Sequence, residues 1–220
     1  MNRKAVVAGA TGLVGQALVR KLLDDPAYAQ VTVLARRPVG MQHSKLMEKV
    51  VSFDKLEKTD IDVAGSDVFS VLGTTRKKSK NEQDYRRVEY DYPLILGRIA
   101  KKQGANQFIA ITSIGADPSS RFLYPRVKGE IEEALRALGL PALHIFRPSL
   151  LLGKRNEFRF FESLAAHLSK IVSPLFSLAW RKYKPVHADT VAEALIQAAK
   201  SGRTGVHIYE NDQIWQGKLF

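Results

Sequence analysis

Gly9-Ala10-Thr11-Gly12-Leu13-Val14-Gly15 separates an apolar run at 4–8 from a segment at 13–23 whose apolar residues recur at helical spacing. A buried strand turning tightly into a helix is the expectation. In such a turn Gly9 permits the reversal, Gly12 lets main chain approach a bound anion, and Gly15 lets the helix sit close on the strand. The opening amides of a helix have no intrahelical acceptor, and its dipole favours negative charge at that end. The stretch therefore implies a dinucleotide pyrophosphate site, built from Gly9, Gly12, Gly15 and the amides of Leu13 and Val14, with Thr11 adding a hydroxyl.

Further strands are expected at 31–34, 50–53, 68–72, 108–112, 143–146 and 206–209, and helices at 84–103, 125–138 and 189–200. Their alternation implies an α/β fold with a doubly wound parallel sheet, the Rossmann fold, occupying 1–220 as one domain. After Arg147-Pro148 the rhythm breaks. The apolar-rich stretch at 156–180 reads as helical, ended or bent by Pro174, and walls a substrate cleft; the alternative is a helix for a partner or a membrane surface. Residues 149–186 are thus expected as a small substrate-side helical appendage or lid.

The 45% hydrophobic and 25% charged fractions are those of an ordinary globular chain. With no cysteine, disulfides, thiolate metal sites and cysteine nucleophiles are excluded, and a cytoplasmic setting is favoured. The basic Met1-Asn2-Arg3-Lys4 before apolar 5–19 superficially resembles a secretory signal, but the glycine spacing explains that run better. No stretch reaches the roughly 18 apolar residues of a membrane span. The net charge of +12 favours anionic partners; nucleic acid is disfavoured, because no binding motif or aromatic platform accompanies the charge.

An acidic residue ending the second strand would bond both ribose hydroxyls of NAD. Here the strand ends Leu34-Ala35-Arg36-Arg37, and two guanidiniums suit a 2′-phosphate, so NADP(H) is the expected cofactor. Asp54, just after the expected third strand, is placed to face the adenine amino group. Gly73-Thr74-Thr75 ends the fourth strand where backbone passes the cofactor ribose.

Ser113 follows the fifth strand, with Tyr124 and Lys128 four residues apart beyond it. Carbonyl reduction needs a proton donor, and a phenol titrating near 10 needs a nearby ammonium to serve at neutral pH. Lys128 supplies that charge and also holds cofactor ribose hydroxyls, while Ser113 polarises the carbonyl oxygen.

Taken with the glycine turn, Leu72-Gly73-Thr74-Thr75, Thr112-Ser113-Ile114-Gly115-Ala116-Asp117, the Tyr124 segment and Phe146-Arg147-Pro148 resemble the short-chain dehydrogenase/reductase superfamily over roughly residues 3 to 210. The chain is most similar to its atypical branch, that of the Tat-interacting tumour-suppressor proteins and their bacterial relatives. The resemblance implies catalytic roles for Ser113 and Tyr124, a double role for Lys128, and NADP(H) binding. Two departures stand out: Glu89 stands where related enzymes often carry asparagine, and Pro125 is expected to push Tyr124 towards the cap of the helix rather than its interior.

Arg147-Pro148 reads by default as a structural strand end and in this context as a border of the nicotinamide pocket, and His187 is expected to belong to a helix start. The five histidines are scattered without ligand spacing, so no metal is expected. The basic run Arg76, Lys77, Lys78 and Lys80 is a solvated loop by default and otherwise favours acidic or phosphorylated substrates. The expected function is an NADPH-dependent reductase of a small carbonyl or quinone-like substrate; the alternative is an NADP(H)-binding regulatory or scaffold protein acting through protein contacts.

Overall fold

A computed structural model describes residues 2–74, 79–153 and 183–220. Strands β1 (Arg3–Ala8), β2 (Tyr28–Ala35), β3 (Leu46–Val50), β4 (Asp67–Ser70), β5 (Gln107–Ile111) and β6 (Ala142–Arg147) occur in chain order. The short β7 (Leu151–Leu152) and β8 (Val186–His187) pair with each other, and β9 (Gly205–Glu210) completes the main sheet. That sheet is wholly parallel, in the order β3-β2-β1-β4-β5-β6-β9. The chain steps outward from β1 to β3, then recrosses so that β4 lies on the other side of β1. Helices consequently cover both faces, as parallel strands require.

On one face lie α1 (Leu13–Asp24) and a later helix, 188–200; on the other lie α3 (Tyr92–Gln103) and α4 (Leu123–Ala137), preceded by the short α2 (Glu82–Arg86). We number the 188–200 helix (Ala188–Lys200) α5 and the terminal helix (Asn211–Gln216) α6. Leu18, Leu22, Val33 and Leu195 pack one core, and Leu34, Leu96, Phe108 and Leu135 the other. The central β1 carries Ala5, Val6, Val7 and Ala8 without polar alternation because both of its faces are covered. Among the described residues no helix is long and apolar enough to cross a membrane.

The edge of the sheet where the strands begin is tied together by one buried carboxylate. Asp67 of β4 accepts from Arg3 Nε of β1 (2.9 Å), the Tyr28 hydroxyl of β2 (2.9 Å) and Gln107 Nε2 of β5 (2.7 Å). Arg3 and Gln107 also donate to the Ala199 carbonyl of α5. Four adjacent strands and a helix thus share a polar cluster in which each group satisfies the others.

Two elements differ from expectation. The third strand lies at Leu46–Val50 rather than 50–53, because Val31 to Ala35 of β2 pair with Leu46 to Val50; Phe53 instead opens a 3-10 turn, Phe53–Lys58. The helix expected at 84–103 is interrupted by a π turn, Arg87–Asp91. Pro93 has no N–H to give the Glu89 carbonyl, and the Tyr92 N–H bonds the Arg87 carbonyl five residues back. The expected helix at 156–180 and most of the 149–186 appendage lie outside the described residues.

Removing the shared carboxylate leaves a phenol, an amide and a guanidinium without their partner. Asp67→Ala is expected to cost about 3 kcal/mol in urea unfolding; a change below about 1 kcal/mol would refute the shared role.

His144 of β6 is fully buried, with Nδ1 3.0 Å from the Tyr209 hydroxyl. Burial, then the neighbouring His207 and Arg203, lowers its imidazole from 6.5 to about 4. A depressed histidine contributes stability that is complete above pH 6.5 and lost as pH falls through about 4. Acid titration of unfolding free energy should show this loss, about 3 kcal/mol in full, and His144→Gln should flatten it.

Candidate active site

β1 ends at Ala8, and Gly9 follows with φ of 101°, in the left-handed region. A Cβ on Gly9 would lie 2.4 Å from the Val71 carbonyl oxygen, and one on Gly15 only 2.1 Å from that of Gly9. Both obstacles are backbone, so neither can yield. Gly12 differs, since among the described residues its Cβ would meet only the Gly9 oxygen, at 3.3 Å. It occupies the N-cap of α1, and neither a side-chain cap nor an acidic residue satisfies the first turn. Among the described residues nothing accepts from the amides at 13–15. Thr11 beside them is exposed, Leu13 half-buried and Val14 buried.

Arg36 and Arg37 stand exposed immediately after β2. Asp54 lies in the 3-10 turn beyond β3, where it accepts from the Tyr92 hydroxyl at 2.8 Å and sits 3.7 Å from Arg87 Nε. Burial, then the bond to Asp54, pushes the Tyr92 phenol up to about 12, while Arg87 and Arg36 pull it down. Arg36, Asp54, Arg87 and Tyr92 therefore share one electrostatic neighbourhood. Sequence reading missed Arg87 and Tyr92, whose signal was hidden in what looked like an uninterrupted helix.

Beyond β5, Thr112 and Ser113 are buried. The Thr112 hydroxyl donates to Glu132 Oε1 at 2.6 Å, whereas Ser113 Oγ has no hydrogen-bond partner among the described residues. A buried hydroxyl left in this condition is a feature of sites that await a ligand. Tyr124 is the second residue of α4 and Lys128 lies one turn on. As Pro125 implied, Tyr124 lies towards the cap of the helix rather than in its interior: Phe122 is the cap, and proline within the first turn sacrifices no helical bond. A Cβ on Gly129 would lie 2.1 Å from Pro118 N, so α4 is pressed against the loop that follows Ser113. Tyr124 is 38% exposed, which leaves its ring reachable.

Lys128 is buried, and its Nζ lies 2.5 Å from Glu89 Oε2. Glu89 Oε1 accepts from the Thr74 amide at 2.6 Å. Burial works to lower the Lys128 ammonium, but Glu89 and then Tyr124 outweigh it and the net shift is upward. Gly73 is exposed, with nothing closer to an added Cβ than Glu89 Oε1 at 3.7 Å. The glycine turn, Arg36, Thr74, Ser113 and Lys128 all lie at or beyond the ends of parallel strands, so the fold gathers them on one edge of the sheet.

Arg147 is engaged as the structural strand end of its default reading. It gives Nε and Nη2 to Glu132, at 2.9 and 2.5 Å, and Nη1 to Glu210 at 2.9 Å. Those bonds join β6 to α4 and to the end of β9, a structural use of the guanidinium. His187 is the exposed N-cap position of α5. Of the basic run, Arg76, Lys77 and Lys78 lie outside the described residues, as does Thr75. Among the described residues no cluster of histidine and carboxylate groups is arranged for a metal.

A glycine-lined helix start at the point where strand order reverses defines a dinucleotide-binding Rossmann protein. A sequence profile for NAD(P)H-binding proteins matches residues 9–159, and the chain belongs to that family. It is 34% identical over 218 residues to Protein HTATIP2 of Rattus norvegicus, spanning 97% of this chain and 88% of that protein. Among solved structures, MoeE5 in complex with UDP-glucuronic acid and NAD superposes with a TM-score of 0.72 at 18% identity, covering 94% of this chain and 76% of that one. Human epimerase family protein SDR39U1 (isoform 2) with NADPH superposes at 0.63 with 16% identity, covering 94% of this chain and 74% of that one. At such identities these two structures show the shared fold.

Proposed function

We propose that the protein is an NADPH-dependent oxidoreductase that reduces a small carbonyl or quinone-like substrate. The observation that carries this reading is Lys128, a buried ammonium in electrostatic contact with the partly exposed Tyr124. The residues fit the cofactor: the turn has no side chain where phosphates approach, and the Ser113 hydroxyl has no partner among the described residues.

Amides at 13–15 would hold the pyrophosphate, and Arg36 with Arg37 the 2′-phosphate. Lys128 would donate to ribose hydroxyls. The bound nicotinamide supplies hydride to the carbonyl carbon. Ser113 Oγ–H donates a hydrogen bond to the carbonyl oxygen, where negative charge develops. The Tyr124 hydroxyl gives that oxygen its proton, and the Lys128 charge stabilises the phenolate left behind. No acidic side chain ends β2, which supports the phosphorylated cofactor over its unphosphorylated counterpart.

Tyr124→Phe is expected to lower NADPH oxidation against a panel of carbonyls and quinones by about a hundredfold or more, with NADPH affinity preserved. Unchanged turnover would remove the proton-donor assignment. In calorimetry, Arg36→Asp combined with Arg37→Ser should weaken NADPH about a hundredfold while altering NADH little. Equal losses for the two nucleotides would overturn the 2′-phosphate assignment.

A further inference from the structure

Glu89 is a carboxylate at 3% exposure with both oxygens committed, Oε1 to the Thr74 amide at 2.6 Å and Oε2 to Lys128 Nζ at 2.5 Å. It therefore joins three separate pieces of the site edge: the π turn, the loop after β4, and α4. Its direction follows from the local backbone. Pro93 has no amide for the Glu89 carbonyl, the helix widens by one residue, and the inserted turn carries this side chain inward.

Stability alone is a poor reason for such a pair. Desolvating two charges costs about as much as their attraction returns, and apolar residues of similar volume commonly serve as well. The pair also lies where a ligand is expected, beside Tyr124 on the same helix. An ammonium has three N–H groups, and its ion pair with Glu89 leaves N–H groups for outside acceptors.

We propose that Glu89 is a positioning residue for the cofactor: it keeps Lys128 charged in a buried setting and aims it, before NADP(H) arrives, at the ribose hydroxyls. The proposal rests on the NADP(H) reading above. The groups facing Lys128 are Glu89 from the π turn and Tyr124 and Glu132 from α4. Glu132 is itself held by Arg147 of β6 and by the Thr112 hydroxyl, so its charge is largely spent elsewhere. Without Glu89, burial becomes the dominant influence on Lys128, and the ammonium loses its proton at lower pH.

The test is calorimetric titration of NADPH into wild type and Glu89→Gln at about pH 6 and about pH 9, after circular dichroism has established folding. The readout is the ratio of the two dissociation constants. The ratio in Glu89→Gln should exceed the wild-type ratio by about tenfold or more, because the variant's lysine is neutral at the higher pH. Glu89→Asp, which retains the charge, should restore most of the wild-type ratio. Should Glu89→Gln not fold, the neutral pair Glu89→Gln with Lys128→Met decides: it should bind NADPH about tenfold more weakly than wild type at about pH 6. Equal ratios in wild type and Glu89→Gln, or wild-type affinity in the neutral pair, would overturn the positioning role. Failure of the wild type to bind NADPH at either pH would instead overturn the cofactor reading beneath it.

Discussion

Main-chain atoms from three segments meet where the first strand becomes the first helix, and the contact tolerates no side chain. The oxygen of Val71 crowds Gly9, and the oxygen of Gly9 crowds Gly15, each at a separation that even a methyl group would violate. The seat of α1 on the sheet, the closeness of the β1 and β4 ends, and the direction of the opening amides all follow from this contact. A larger residue at Gly9 or Gly15 would move the helix, and with it every donor on which a bound anion depends. Gly12 meets no such obstacle among the described residues, and main chain on that side is free to approach an anion.

The two edges of the sheet treat polar groups in opposite ways. Where strands begin, Asp67, Arg3, Tyr28 and Gln107 neutralise and satisfy one another, and burial followed by the adjacent Asp67 raises the Tyr28 phenol well above its ordinary range. Where strands end, groups stand open among the described residues: a helix start without a side-chain cap, a Ser113 hydroxyl without a partner, and an ammonium paired with one carboxylate. The cluster at the first edge thus spends its polar groups on one another and on the Ala199 carbonyl. Arg147 shows how the division is kept, since it sits near the second edge yet is drawn into structure by Glu132 and Glu210.

Most of the architecture was legible in the chain because buried parallel strands are nearly continuous apolar runs, and the glycine spacing identified the turn that begins them. The third strand escaped because Leu46–Val50 contains Glu48 and Lys49, as an edge strand with solvent on its outer side permits. The π turn escaped because helical periodicity continues through it; Pro93 was the available signal, and its consequence lies four residues earlier, at Glu89. Ser113, Tyr124 and Lys128 were readable as residue types at suggestive positions. What spacing does not encode is the buried partnership of Lys128 with Glu89, which joins residues 39 apart in sequence (128 less 89), or the neighbourhood shared by Arg36, Arg87 and Tyr92.

The polar character that concealed β3 has a further effect. An exposed row of unpaired amides and carbonyls at the border of a sheet is a template on which another chain can add itself. Glu48 accepts from the Val39 amide and Lys49 donates to the Asp60 carbonyl, so the charged side chains of this border are fastened to the loops on either side. A stranger pairing there would have to displace these anchors and desolvate their charges. The border strand thereby discourages intermolecular stacking in a crowded solution.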